Sequence, residues 1–213
     1  MHDINEAARN WVWQFFATDA TGHDPYHTER VVTNAKPLAE AEGANIEIVE
    51  LASWLHDLAD DKFYDETSAG VKQVQSWLET NDLGQDDIDR IMGIINHVSF
   101  RGGFQEPMTT LEGKVVQDAD RLDAIGALGI ARTFMFGGAH GRPMHVPDAV
   151  VESPVSAEDY RNREVSVLQH FYDKLLHLKD QMNTTTGRRW AEARHDYMLQ
   201  FLQRFEEEWD GRQ

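Results

Sequence analysis

Apolar residues recur along this chain every three or four positions, and no stretch alternates strictly for long enough to compete, so the pattern predicts an all-α fold. Asp3 with Glu6 reads as a capping box opening a first helix with the stripe Ile4, Ala7, Ala8, Trp11 and Phe15. Gly22 ends the following turn, and Asp24 and Pro25 occupy the N-cap and first-turn positions of a second helix carrying His27, Val31, Ala35 and Leu38. Pro37 is expected to kink or split that helix near Lys36. A third helix starts near Asn45 with Ile48, Leu51, Ala52 and Leu55 inward, and His56 and Asp57 follow directly.

Helix four covers 68–78, and helix five passes through Ile88, Ile91, Met92 and Ile95 to His97, followed by a glycine-containing loop over 98–107. Thr109 with Glu112 signals the start of a strongly apolar helix through Val115, Val116, Ala119, Leu122, Ile125 and Ala127, expected to be central and buried. The span 137–154, with repeated Gly and Pro, predicts a long irregular segment near a functional mouth. Two long helices complete the pattern, one marked by Val165, Leu168, Phe171, Tyr172 and Leu175, the other by Trp190, Tyr197, Met198, Phe201, Leu202 and Phe205. Their aromatic stripes read as core packing rather than as a cofactor site.

With 213 residues, 41% of them hydrophobic, the chain is long enough for one sizeable core, and one domain over 1–213 is expected, with a motif core at about 22–147 and C-terminal helices at 156–209. A net charge of −17 disfavours a nucleic-acid polymer as partner. It leaves room for a small phosphorylated substrate, because a metal ion and a few placed Arg or Lys residues reverse the field inside a pocket. The absence of cysteine removes disulfides, thiolate metal sites and Cys nucleophiles. With no apolar run near 18 residues and no signal-like N-terminus, neither membrane spanning nor export is expected, and the cytoplasm is the default.

The candidate chemistry lies in His27, His56, Asp57 and an acidic residue of the central helix, since two imidazoles and two carboxylates can hold one divalent cation. His-Asp occurs four times, at positions 2, 23, 56 and 195, so the dipeptide alone decides nothing. His2-Asp3 and His23-Asp24 sit at helix starts, and His195-Asp196 lies in a polar stretch. Only His56-Asp57 sits in an apolar helix end, ELASWLHDLADD, where burying two polar side chains is costly unless something satisfies them. For the fourth position, QDADRLDAIGA offers Asp118, Asp120 and Asp123; Asp120 and Asp123 share a helix face, whereas Asp118 turns away from Asp120.

The strings DPYHTERV, LASWLHDLADDKF and VVQDADRLDAIGALGIAR, with INHVSF and FGGAHGRPM, resemble the HD-domain metal-dependent phosphohydrolase superfamily, and in particular its YedJ/YpgQ-like branch. The resemblance spans roughly 22–147. It implies a helical bundle in which His27, His56, Asp57 and Asp120 bind a divalent ion, with Asp118 as competitor to Asp120. Mixed imidazole and carboxylate donors suit Mn²⁺, Fe²⁺, Ni²⁺ or Zn²⁺ better than Mg²⁺, and Mn²⁺ is the expected cofactor. Binuclear members carry further histidines; here His97 is the one obvious candidate, so a single metal is favoured.

Asp60 and Asp61 follow the His-Asp pair by three and four residues, so a continuing helix would return them beside it. They resemble the acidic pair of the H-D-x-x-E-D string in (p)ppGpp hydrolases, implicated in positioning or activating water; the plainer alternative is a solvated helix end. His97 is a candidate to contact phosphate or protonate a leaving oxygen, or else caps its helix. Among the basic residues near these motifs, Lys62, Arg101 and Arg132 are candidates for substrate phosphates, and Asp123 for substrate or for orienting a ligand or water. Arg30 and Arg132 equally suit structural ion pairs.

The resemblance points to a metal-dependent hydrolase of small nucleotides that splits (deoxy)nucleoside triphosphates with release of pyrophosphate. Alternatives on the same scaffold are a nucleoside 5′-monophosphatase, a (p)ppGpp hydrolase, and a nucleotide or metal sensor without turnover. Apolar helices such as that ending at Trp209 suit a homodimer as well as a core.

Overall fold

The computed structural model describes residues 2–18, 24–60, 63–64, 68–98, 106–147, 156 and 165–212. Among them every regular element is helical, in agreement with the all-α expectation. The helices are α1 (His2–Phe15), α2 (Pro25–Glu42), α3 (Ile46–Leu55), α4 (Ala69–Thr80), α5 (Gln85–Val98), α6 (Leu111–Asp123), α7 (Gly126–Ala139), α8 (Val167–Asp173) and α9 (Thr185–Trp209), with a 3₁₀ turn at Leu175–His177 between the last two. None is long and apolar enough to cross a membrane.

The apolar periodicity of α2, α3 and α6 makes these three the centre. Val31, Ala35 and Leu38 of α2 meet Ile48, Leu51, Ala52 and Leu55 of α3 and Val115, Val116, Ala119 and Leu122 of α6, all within 1% of complete burial. Each large aliphatic side chain so enclosed contributes about 1.5–3 kcal/mol relative to an exposed one. Helix α1 packs on α3, α5 bridges α3 and α6, and α9 lies across α6, α7 and α2.

Several local expectations are corrected. Asp3 lies inside the first turn of α1 rather than capping it. The cap of α6 is Thr110, whose hydroxyl accepts from Gly113 N at 3.2 Å, while Glu112 reaches across to accept from Asn45 N at 3.1 Å. Helix α2 runs through Pro37 unbroken. Pro37 and Thr33, whose carbonyl lacks its usual donor there, are both exposed, so water can take the place of the lost bond.

The expected central helix through Ala127 stops at Asp123, and α7 begins three residues later at Gly126, whose φ of 74° no side-chain-bearing residue adopts cheaply. Helix α7 then runs through Gly137 and Gly138 to Ala139, so the irregular segment starts later than expected. In place of the first long C-terminal helix, the described residues hold the short α8 and its 3₁₀ extension.

Candidate metal centre

His27 enters from the first turn of α2. The Asp24 carboxylate accepts from His27 N at 2.8 Å, and Pro25 supplies the helical φ at no cost in hydrogen bonds, so this cap fixes where the imidazole starts. His56 and Asp57 leave the end of α3, where His56 is the C-cap residue. Asp120 and Asp123 project from the last turn of α6.

These elements bring His27, His56 and Asp57 together around one point, with Asp120 beside both imidazoles. His27 Nε2 lies 3.3 Å from Asp57 Oδ2 and 3.5 Å from Asp120 Oδ1; His56 Nε2 lies 3.5 Å from Asp57 Oδ1 and 3.9 Å from Asp120 Oδ1. Such separations suit neighbouring donors around one divalent ion with bonds of about 2.0–2.2 Å. The imidazoles are almost sealed, while the side chains of Asp57 and Asp120 are 13% and 29% exposed, so the centre opens to solvent on its carboxylate side.

Hydrogen bonds behind the rings fix their direction. His27 Nδ1 is 2.8 Å from Asp123 Oδ2, and His56 Nδ1 is 2.8 Å from the carbonyl oxygen of Ser53. An acceptor at each Nδ1 requires the proton there when the ring is neutral, so both Nε2 lone pairs face the shared point. Among the described residues His56 Nε2 is buried with no hydrogen-bond partner, which is costly unless a cation occupies the space before it. The donor set therefore fits a divalent metal.

Asp123 is fully buried and surrounded by donors. Arg30 Nε reaches its Oδ1 at 2.7 Å, and Arg30 Nη2 and Arg132 Nη1 reach Oδ2 at 3.0 and 2.9 Å. Burial alone would raise its pKa; the bonds from His27 and Arg30, with the charge of Arg132, hold it well below the usual carboxylate range instead. The same contacts act on His27, where burial and Arg132 disfavour the proton but Asp123 and Asp57 favour it more, so the metal-free ring is more basic than usual. Asp123 is thus enclosed in a buried ion-pair cluster with His27, Arg30 and Arg132, the structural role that the sequence offered for both arginines.

Asp118 points elsewhere. Its oxygens accept from Asn183 N and Nδ2 at 2.8 and 2.9 Å and from Thr184 N and Oγ1 at 2.8 and 2.7 Å, so this competitor to Asp120 is consumed in anchoring the two residues that precede α9. Burial pushes its pKa up despite these bonds. Arg121 donates to the Gln181 carbonyl, and Arg142 lies over the ring of Phe136; neither joins the centre.

Helix α3 ends at Leu55, so the condition under which a helical period would return Asp60 beside the His-Asp pair is not met. Residues 56–59 form turns in which Leu58 N bonds to Leu55 O and Asp60 N to Asp57 O, so Asp60 follows Asp57 with the three-residue period of a tight turn. Tyr64 anchors this turn, its hydroxyl donating to Leu58 O at 2.6 Å, a support that nothing in the spacing of the motif announced. His97 is exposed in the last turn of α5, its Nδ1 bonded to Gly93 O at 2.8 Å, and the carbonyls of His97 and Val98 accept from Gln117 of α6. Asp61, Lys62 and Arg101 lie outside the described residues.

Comparison with known proteins bears on this geometry directly. The HD domain family model matches residues 26–125, the stretch that supplies all four converging side chains. YpgQ of Bacillus subtilis is 41% identical over 208 residues, 97% of this chain and 94% of its own length. The crystal structure of YpgQ in complex with ADP superposes with a TM-score of 0.76 over 96% of this chain and 97% of that one, at 41% identity. A Lactobacillus plantarum protein of known structure matches with a TM-score of 0.89 and 35% identity over 99% of both chains. An HD-superfamily hydrolase from Bacillus thuringiensis matches at 0.76 and 42% over 98% of both. Together with a centre built to hold a divalent cation, these matches establish that the chain belongs to the HD-domain family of metal-dependent hydrolases, in the branch that includes YpgQ.

Proposed function

We propose that the protein is a phosphohydrolase of small nucleotides that splits (deoxy)nucleoside triphosphates into the monophosphate and pyrophosphate, with Mn²⁺ held by His27, His56, Asp57 and Asp120. The observation that carries this reading is the convergence of two Nε2 acceptors and two carboxylates on one point that is open on its carboxylate side. The complex of the YpgQ relative with ADP supports a nucleotide as the ligand. A divalent cation in this place supplies a Lewis acid that polarises a phosphoryl oxygen and acidifies water.

The chain's own residues divide the remaining work. His27 and His56 keep their protons on Nδ1, away from the centre, so neither ring competes for the position its Nε2 faces. Asp60, one tight turn beyond Asp57, accepts the proton of the attacking water on a carboxylate oxygen as the new P–O bond forms at the α-phosphorus and the bond to the bridging oxygen breaks. His97, on the exposed end of α5 next to α6, hydrogen-bonds the departing phosphates. Lys62 and Arg101 add positive charge to an otherwise acidic protein.

The test is a substrate panel of deoxynucleoside triphosphates, ribonucleoside triphosphates, nucleoside monophosphates and (p)ppGpp with Mn²⁺-loaded protein, detecting phosphate and pyrophosphate separately. Pyrophosphate from triphosphates is the expected product. Release of phosphate from monophosphates alone would replace this reading by a monophosphatase, and metal-loaded protein inert on every nucleotide would overturn it.

A further inference from the structure

Two acidic residues one helical turn apart on α6 straddle the ring of His27. Asp120 Oδ1 stands 3.5 Å from Nε2 on the open side, and Asp123 Oδ2 stands 2.8 Å from Nδ1 on the sealed side. Asp123 is fully buried, and its remaining acceptor capacity is filled by Arg30, which binds both oxygens, and by Arg132 on the oxygen that also serves His27. The two arginines come from different helices, α2 and α7, so the carboxylate is fixed from both flanks and cannot rotate without breaking several charge-assisted bonds.

We infer that Asp123 is a positioning residue, locked by Arg30 and Arg132, that dictates the tautomer and orientation of His27 and so the metal affinity of the centre. The inference rests on reading His27 as a metal ligand. An ionised carboxylate can only accept, so His27 Nδ1 must donate, and in the neutral ring Nε2 is left unprotonated for the cation. An amide in the same place breaks this logic. With its oxygen in the place of Oδ2, the amide still accepts from His27, Arg30 Nη2 and Arg132 Nη1 but turns its NH₂ on the Nε–H of Arg30; with its oxygen in the place of Oδ1, the NH₂ opposes both arginines and faces His27 Nδ1, which must then accept and carry its proton on Nε2, where it blocks the metal.

The experiment compares wild type, Asp123→Asn and the double variant Asp123→Asn/Arg30→Gln. Mn²⁺ affinity is measured by calorimetry, and the histidine tautomers of the metal-free proteins by long-range ¹H–¹⁵N correlation above the imidazole titration range. In the single variant Mn²⁺ binding is expected to weaken about 10–100-fold, with His27 gaining an Nε2–H population while His56, held by the backbone carbonyl of Ser53, keeps its Nδ1–H form. In the double variant the amide oxygen is free to turn to His27, and affinity and tautomer should both move back toward wild type. Unchanged affinity and tautomer in the single variant overturn the inference. So does a loss in which His56 shifts as well, since that marks general disruption. Should the single variant fail to fold, Asp123→Leu/Arg30→Leu takes its place: with no acceptor left at Nδ1, His27 is expected to gain an Nε2–H population and Mn²⁺ binding to weaken, and an unchanged tautomer and affinity overturn the inference. Wild-type protein that takes up no Mn²⁺ would sink the proposed function, and the tautomer measurement, which needs no metal, would still judge Asp123.

Discussion

The Nδ1 atom of His56 lies 2.8 Å from the carbonyl oxygen of Ser53, three residues back along α3, and this one bond aims Nε2 at Asp57 and Asp120. His56→Ala removes the buried Nε2 that faces Asp57 and Asp120. Mn²⁺ at about 100 times its dissociation constant should stabilise the wild-type fold by about 2.7 kcal/mol, reversibly on chelation. The His56→Ala protein should show no such gain in thermal unfolding, and an equal Mn²⁺-dependent shift in both would remove His56 from the centre.

Asp118 and Asp120 should separate cleanly. Asp118→Asn turns an amide NH₂ toward donors of Asn183 or Thr184 and is expected to cost about 1–3 kcal/mol in denaturant unfolding, with Mn²⁺ affinity within a few-fold of wild type. Asp120→Asn, at a partly exposed side chain, should leave stability nearly unchanged and weaken Mn²⁺ binding more than tenfold. The reverse pattern would make Asp118 the ligand.

For Asp60, the expectation is a loss of turnover without a loss of metal. Asp60→Ala should lower kcat by about 10²–10⁴ while Mn²⁺ stoichiometry stays at the wild-type value. Full activity in this variant would return Asp60 to the role of a solvated turn residue.

His170 provides a pH signature remote from the centre. Burial first, then the charges of Lys174 and Arg142, push its pKa down to about 3. The unfolded chain takes up a proton on this ring near pH 6.5 and the folded chain does not, so stability falls as pH drops from about 6.5 toward 3, with a slope of at most about 1.4 kcal/mol per pH unit. His170→Asn should flatten this part of the acid limb in denaturant unfolding between pH 7 and 5. An identical pH dependence in both proteins would show that the ring is charged in the fold.

The parts of this structure legible in the sequence are those governed by local rules. The stripes of α2, α3 and α6 follow from spacing alone, and the Asp24 cap before Pro25 is a local signal that delivers His27 to its position. Among four His-Asp pairs, His56-Asp57 stands out because an apolar helix end holding such a pair is chemically unusual. What stayed hidden depends on contacts far apart in the chain. Nothing near Asp118 announces that Asn183 and Thr184, 65 and 66 residues later, will consume it. Nor does the string DADRLD show that its last Asp will meet Arg30, 93 residues earlier, rather than a substrate. The tight turn after His56 is not announced by the sequence, because only the fold, through Tyr64 and the buried Leu58 and Ala59, reveals where the backbone tightens.

The break between α6 and α7 has a reach beyond the turn itself. Asp123 and Arg132 are nine residues apart, and in one continuous helix they would be separated by about 13.5 Å along the axis, out of reach of each other. The break at Gly126 lets Arg132 come within 2.9 Å of the carboxylate. A Cβ at position 126 would meet the Arg194 side chain 3.0 Å away, in addition to the strain of its positive φ. A glycine that touches neither metal ligand nor substrate is in this way a geometric precondition for the alignment of His27, and damage to the turn should reach the centre as a loosened imidazole.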